Sequence, residues 1–164
     1  MFATSNAWYT YSGNDNDTVL SSRVRIVRNL KSYRFPPTLG KEDAETVYRT
    51  VVSAFHDLPP SDGFHPIRLD TLDAIAKKIF EERNIIPANL ERNFGTGVIV
   101  RDDGILSATV NVKDHIRLSA FYAGFELQKC FMLGKNIIDT LAETLEFSAV
   151  QDFGYLSSDV MNIG

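Results

Sequence analysis

The chain has 164 residues, with 17 Lys plus Arg against 21 Asp plus Glu and a formal net charge of −4. That length fits one ordinary domain, and a hydrophobic share of 44% with 23% charged residues excludes an intrinsically disordered chain. The acidic balance argues against nucleic acid as a partner, because such binding runs on phosphate neutralisation. A single cysteine, Cys130, excludes an internal disulfide framework and a multi-cysteine metal site.

The N-terminus, MFATSNAWYTYSGNDND, has neither a basic n-region nor an apolar h-region, so it does not read as a secretory signal. No stretch approaches the ~18 apolar residues of a membrane span. The expectation is a soluble, cytoplasmic protein that does not touch membranes.

Residues 1–17 are polar and turn-rich and read as an irregular lead-in anchored by Trp8 and Tyr9. From Thr18 to Asn29 the pattern alternates. Leu20, Val24 and Ile26 fall on one parity, and Arg23 and Arg25 on the other, as on a strand with one apolar and one polar face. Phe35-Pro36-Pro37 breaks the chain. Lys41 to Leu58 reads as a helix with Ala44, Val47, Tyr48, Val51 and Phe55 inward, ended by Pro59-Pro60-Ser61-Asp62-Gly63. A second helix is predicted over Asp70 to Arg83, with Leu72, Ile75 and Ile79 on one side.

Val98 to Arg101, the turn Asp102-Asp103-Gly104, and Ile105 to Val112 form a hairpin pattern. A short strand, His115 to Tyr122, follows. Phe125 to Phe147 is the longest predicted helix, with an apolar stripe of Leu127, Cys130, Phe131, Gly134, Ile138, Leu141 and Leu145. The tail from Asp152 is turn-rich. Strands among amphipathic helices predict an α+β domain on an antiparallel sheet flanked by helices.

Arg23 and Arg25 are the first candidates for chemistry. At i and i+2 on a strand they project from one face, roughly 7 Å apart. Guanidiniums bind phosphate oxygens bidentately and stay charged at any working pH. By spacing alone, solvated charges on an exposed sheet are the plainer reading. His115 and Arg117 are expected to share a strand face where either could meet an anion, and here too a polar sheet face is plainer. Cys130, inside an apolar stripe, reads as core rather than nucleophile. His56 and His65 lack metal-ligand spacing and read as structural. Phe94-Gly95-Thr96-Gly97 precedes a strand, whereas a phosphate-cradling loop precedes a helix, so it reads as a turn.

Taken together, the segments resemble the ATP:guanido phosphotransferases, the family of creatine and arginine kinases, with the bacterial protein-arginine kinases as the nearest branch. Three motifs carry the resemblance: Val19 to Asn29 followed by Phe35-Pro36; Asn111-Val112-Lys113-Asp114-His115-Ile116-Arg117; and Gly154 through Gly164. Gly124-Phe125-Glu126-Leu127 and the long helix also fit. The resemblance spans most of the chain. It implies Mg-ATP as the nucleotide and transfer of its γ-phosphoryl to a guanidinium nitrogen. Ser21, Ser22, Arg23, Val24 and Arg25 then match a nucleotide-binding segment, and Arg117 a phosphate arginine. Such a loose transition state needs charge stabilisation and positioning more than covalent help.

The departures are equally specific. The family reads Asn-Glu-Glu-Asp-His where this chain has Asn111-Val112-Lys113-Asp114-His115. Lys113 thus replaces a catalytic carboxylate that orients the substrate guanidinium, and an ammonium there would repel it. Asp114, if on a strand, would point to the opposite face. The family's Cys-Pro-Thr-Asn becomes Asp159-Val160-Met161-Asn162, so Asp159 stands in place of a reactive thiol. Asn84 stands in place of a family histidine. An Arg-Ala-Ser segment, a further phosphate arginine and a second catalytic glutamate would lie beyond Gly164.

The resulting expectation is one domain over residues 1–164, the N-terminal portion of a divergent guanidino-kinase catalytic domain. No catalytic set is intact, so impaired activity is implied. The expected partners are nucleotide phosphates, an arginine-containing protein substrate or a full-length kinase. The alternatives are a non-catalytic relative that binds nucleotide or phosphoarginine, or a fragment of a longer kinase. A truncated sheet is expected to leave an apolar edge available for self-association or partner binding.

Overall fold

The computed structural model describes residues 8–88, 90, 94–159 and 161. Asn162, named above, lies outside them. The strands are β1 (Ser21–Arg28), β2 (Phe64–Arg68), β3 (Gly97–Arg101), β4 (Leu106–Val110), β5 (Ile116–Ala123), β6 (Ala149–Val150) and β7 (Gly154–Tyr155). The helices are α1 (Lys41–His56), α2 (Ala74–Glu82) and α3 (Leu127–Leu141). The first five strands make one sheet in the order β1-β5-β4-β3-β2, every neighbouring pair antiparallel. The α+β expectation is met, and β1 is an edge strand.

The predicted inward residues of α1 are all buried. Glu42 and Asp43 in the first turn and His56 in the last complement the helix dipole. α1 and α3 cover one face of the sheet. There Val47, Val51 and Phe55 meet Ile99, Leu106, Ile116 and Leu118, together with Cys130, Ile138 and Leu141. A smaller core on the other face joins Leu69, Phe80 and Ile86 to Val98 and Val100. That second core covers only the β2–β3 half.

Several expectations are corrected. Leu20 is 83% exposed and precedes β1, so the strand is shorter than the alternation suggested. The predicted face of α2 is wrong. Asp73 caps the helix by accepting from the Ala76 N–H at 2.7 Å, leaving Leu72 outside it. Phe80 is then the residue that enters the second core, while Ile75 is 74% exposed. β2 was not predicted because Pro66 interrupts it; an edge strand is where a sheet tolerates a missing N–H. In α3, Leu127 and Phe131 were expected inside, yet both are about half exposed (47% and 49%). β4 is buried on both faces, so the Ser107 and Thr109 side of its alternation is interior too.

The lead-in is docked. Trp8 stacks on Phe121 with centroids 5.5 Å apart and planes at 14°. The Phe125 N–H donates to the Asn14 carbonyl at 2.7 Å. Gly124 makes this crossing possible: its φ is +71°, and a Cβ there would stand 2.3 Å from the Asn14 oxygen. Among the described residues, no helix is long and apolar enough to cross a membrane.

Candidate functional site

The antiparallel register places the arginines. Val27 lies opposite Arg117 and Arg25 opposite Ser119, so Arg25 is one diagonal step from Arg117 on the same face. Arg23 lies opposite Phe121, and its guanidinium carbon is 5.8 Å from that ring's centroid. All three project from the half of the sheet that α2 leaves uncovered. Burial, and then the neighbouring charges of Arg23 and Arg117, hold the Arg25 guanidinium below its ordinary pKa. Like charges held together on one sheet face are an arrangement that suits an anion. Arg23, Arg25 and Arg117 thus share one sheet face.

Two atoms beside Arg117 are buried without a hydrogen-bond partner: the Thr109 hydroxyl, on the neighbouring strand at the same level, and Asp114 Oδ2. Asp114 Oδ2 is 3.9 Å from Arg117 Nη2. The other carboxylate oxygen, Oδ1, is fully used. It accepts from Asn29 Nδ2 at 2.7 Å, the Ser158 N–H at 2.7 Å and the Ser157 hydroxyl at 3.2 Å. Asn29 in turn accepts from the His115 N–H at 2.8 Å and donates to the Leu156 carbonyl at 3.1 Å. The network ties residues 156–158 to the end of β1 and to the chain entering β5.

His115 does not share the arginine face. It precedes β5 and is fully buried. Its Nδ1 accepts from the Leu30 N–H at 2.9 Å, and its Nε2 lies 3.1 Å from the Arg34 carbonyl. Burial pushes its pKa down. Residues 111–115 are not extended strand, since Asn111 has φ +55°, so the parity that paired His115 with Arg117 does not apply. The same bend buries Asp114 instead of turning it to the opposite strand face.

The remaining positions divide. Ser21 is exposed at the start of β1. The Ser22 hydroxyl is buried and occupied, donating to the Gly124 carbonyl and accepting from the Glu126 N–H, both at 2.8 Å. The Val24 side chain packs on the α3 side. Lys113 is exposed, with its carbonyl accepting from the Ser158 hydroxyl at 2.7 Å. Asp159 is exposed and accepts from the Met161 N–H at 3.0 Å. Asn84 sits in the left-handed region (φ +56°) just past α2. Cys130 is buried; desolvation raises its pKa, and its thiol lies 3.4 Å from the Ser22 carbonyl, as for a core residue. His56 is exposed at the end of α1, and His65 pairs with Asp102 at 2.7 Å.

A groove of about 670 Å³ wraps the outer edge of β1, lined by Arg25, Arg28, Arg117, Phe131, Lys135 and Tyr155. The Arg28 guanidinium lies over the Tyr155 ring, 3.5 Å from its centroid. Arg28, Lys135 and Tyr155 were not singled out in the sequence. No local spacing joins them, because they meet only when α3 and the β6–β7 turn pack beside β1.

Among the described residues, no group of three His, Cys, Asp or Glu side chains is placed to hold a metal ion. The arginine face fits phosphate oxygens. A magnesium ion arriving with a nucleotide would be held by the phosphates and water, as this ion commonly is.

The comparisons with known proteins give the family and the fold. Residues 46–164 match the family model for the ATP:guanido phosphotransferase C-terminal catalytic domain, and the chain belongs to that family. It is 35% identical over 161 residues to the protein-arginine kinase of Desulforamulus reducens and 32% identical over 161 residues to that of Halothermothrix orenii. Each match covers 96% of this chain and 45% of the relative, so the chain spans less than half the length of these curated relatives. In fold it resembles the substrate-free duplicated taurocyamine kinase from Schistosoma mansoni, with a TM-score of 0.83 and 21% identity over 94% of this chain and 24% of that one. It also resembles a lombricine kinase crystal structure, with a TM-score of 0.81 and 16% identity over 99% of this chain and 52% of that one.

Proposed function

We propose that the chain contributes the nucleotide-phosphate face of an ATP-dependent guanidino kinase acting on protein arginine. It corresponds to the N-terminal portion of the catalytic domain. The observation that carries this reading is that Arg23, Arg25 and Arg117 project from one face of the sheet, Arg23 and Arg25 exposed and Arg117 partly so. Three fixed cations suit a triphosphate, whose transfer requires dispersed negative charge to be stabilised without reorganisation. Ser21 lies at the entrance to this face. ATP is the nucleotide substrate, and magnesium, bound with it, would neutralise phosphate charge. Membership of the family and the protein-arginine kinase relatives support the reaction class.

Activity of this chain alone is impaired in this reading. Lys113 puts a cation where the family has a guanidinium-orienting carboxylate, and Asp159 replaces a thiol. Loss of single transition-state contacts costs ~100- to 1000-fold in rate. A non-catalytic role, binding nucleotide or phosphoarginine or pairing with a complete kinase, is the second reading. The same arginines, retained while Lys113 and Asp159 have diverged, favour it. Incubation with ATP, Mg²⁺ and an arginine-rich protein, followed by phosphoarginine detection, separates the two. No transfer above a blank, with ATP binding retained, leaves the binding role. Absence of both transfer and ATP binding rejects the kinase reading and the nucleotide-binding form of the second.

A further inference from the structure

Arg117 stands beside a like charge. Arg25 is one diagonal step away on the same face, and the two guanidiniums repel. An arginine side chain has enough rotatable bonds to swing clear of such a neighbour. Arg117 is packed in instead, its side chain only 15% exposed. Asp114 opposes the repulsion, with Oδ2 lying 3.9 Å from Arg117 Nη2. That separation makes an ion pair but exceeds hydrogen-bond length. The carboxylate therefore attracts the guanidinium without taking up its N–H donors.

Asp114 is itself fixed from behind. The residue is completely buried, and its Oδ1 accepts from the Asn29 amide, the Ser158 N–H and the Ser157 hydroxyl. Three donors on one oxygen set the plane of the carboxylate and so the direction of Oδ2, which is buried with no hydrogen-bond partner. Asn29 directly follows β1, the strand that carries Arg23 and Arg25. One carboxylate thus ties the Arg117 guanidinium to the strand bearing the other two arginines. By charge alone, a carboxylate beside an anion site weakens the site. Orientation of Arg117 is the gain that offsets this cost.

We infer that Asp114 is a positioning residue, whose Oδ2 holds the Arg117 guanidinium where it and Arg25 meet the same phosphate chain. This rests on the reading of Arg117 as a phosphate arginine. Asp114 acts through Arg117 and does not touch the nucleotide.

Asp114→Asn separates position from charge. The amide keeps an oxygen for Asn29, Ser157 and Ser158 but turns its NH2 group toward Arg117, donor against donor. Loss of the negative charge alone would tighten binding of Mg-ATP, whereas loss of positioning weakens it. Calorimetric titration of the full chain with Mg-ATP is expected to show about tenfold weakening in Asp114→Asn. The same substitution made in Arg117→Ala should change affinity by less than about twofold, because the residue it acts through is gone. A merely structural role would lower affinity in both backgrounds. Urea unfolding and circular dichroism check that the fold is kept. A second measurement needs no change at Asp114. With isotope-labelled arginine and no nucleotide, the Arg117 guanidinium protons, identified by their loss in Arg117→Ala, should give separate NMR signals and not one signal averaged by rotation. Unchanged or tighter binding in Asp114→Asn, equal weakening in both backgrounds, or an averaged Arg117 signal would overturn the inference. If the unaltered chain binds no Mg-ATP, or binds it equally well after Arg117→Ala, the phosphate reading fails and this inference falls with it.

Discussion

Asn29 donates from Nδ2 to Asp114 Oδ1 across 2.7 Å, and both side chains are completely buried. The contact joins the end of the arginine strand to the approach to β5 and, through Ser157 and Ser158, fastens the following tail segment. Asp114→Ala would leave the Ser158 N–H without its acceptor and the Asn29 amide with the Leu156 carbonyl alone. Breaking a buried charged network in this way costs roughly 3–5 kcal/mol. Urea unfolding should show that loss in stability with little change in the slope of the transition. A loss within ~0.5 kcal/mol would mean the network is not intact.

His115 predicts a pH dependence. Burial lowers its folded-state pKa, so below about pH 6.5 the unfolded chain binds the proton more readily than the folded one. Its contribution is present above that pH and is lost as pH falls toward the folded pKa. The slope approaches ~1.4 kcal/mol per pH unit for one proton. Protonation would also convert Nδ1 from acceptor to donor against the Leu30 N–H. His115→Gln should flatten this part of the acid limb when stability is measured from pH 5 to 8. An unchanged limb would show that His115 is already free to charge.

Lys113 predicts an affinity change without a stability change. Its side chain is exposed, and only its carbonyl takes part in the tail network. Lys113→Glu should leave stability within ~0.5 kcal/mol. Replacing a cation by an anion near a bound guanidinium should tighten binding of an arginine peptide by about tenfold at low salt. Calorimetric titration with that peptide checks it, and unchanged affinity would place Lys113 away from the substrate.

How far the sequence could be read depended on how local each cause was. α1 was legible because its six buried residues follow one helical period between clear breakers. The Asp102-Asp103-Gly104 turn was legible for the same reason, with Gly104 in the left-handed region at φ +67°. The phase of α2 was not, because Asp73 and the Phe80 pocket set it jointly. Parity placed Arg23 and Arg25 correctly but misplaced His115, since the backbone bends at Asn111 before β5 begins. That Arg117 joins the other two followed from the resemblance alone and is explained by the β1–β5 register, which no local pattern encodes. The half-exposed Leu127 and Phe131 are a similar case: their spacing gave the stripe, but only the sheet order showed that no described strand lies beneath it.

The central claim is that Arg23, Arg25 and Arg117 act as one anion site. Isothermal calorimetry of ATP with magnesium tests it most directly, with Trp8 fluorescence as a second reporter because Trp8 stacks on Phe121 beside Arg23. Saturable binding is expected. It should weaken by about tenfold or more with Arg25→Ala and with Arg117→Ala. Arg25→Lys should recover it only in part, because an ammonium lacks the bidentate fork. Affinity that is absent in the unaltered chain, or is indifferent to both alanine substitutions, would contradict the account.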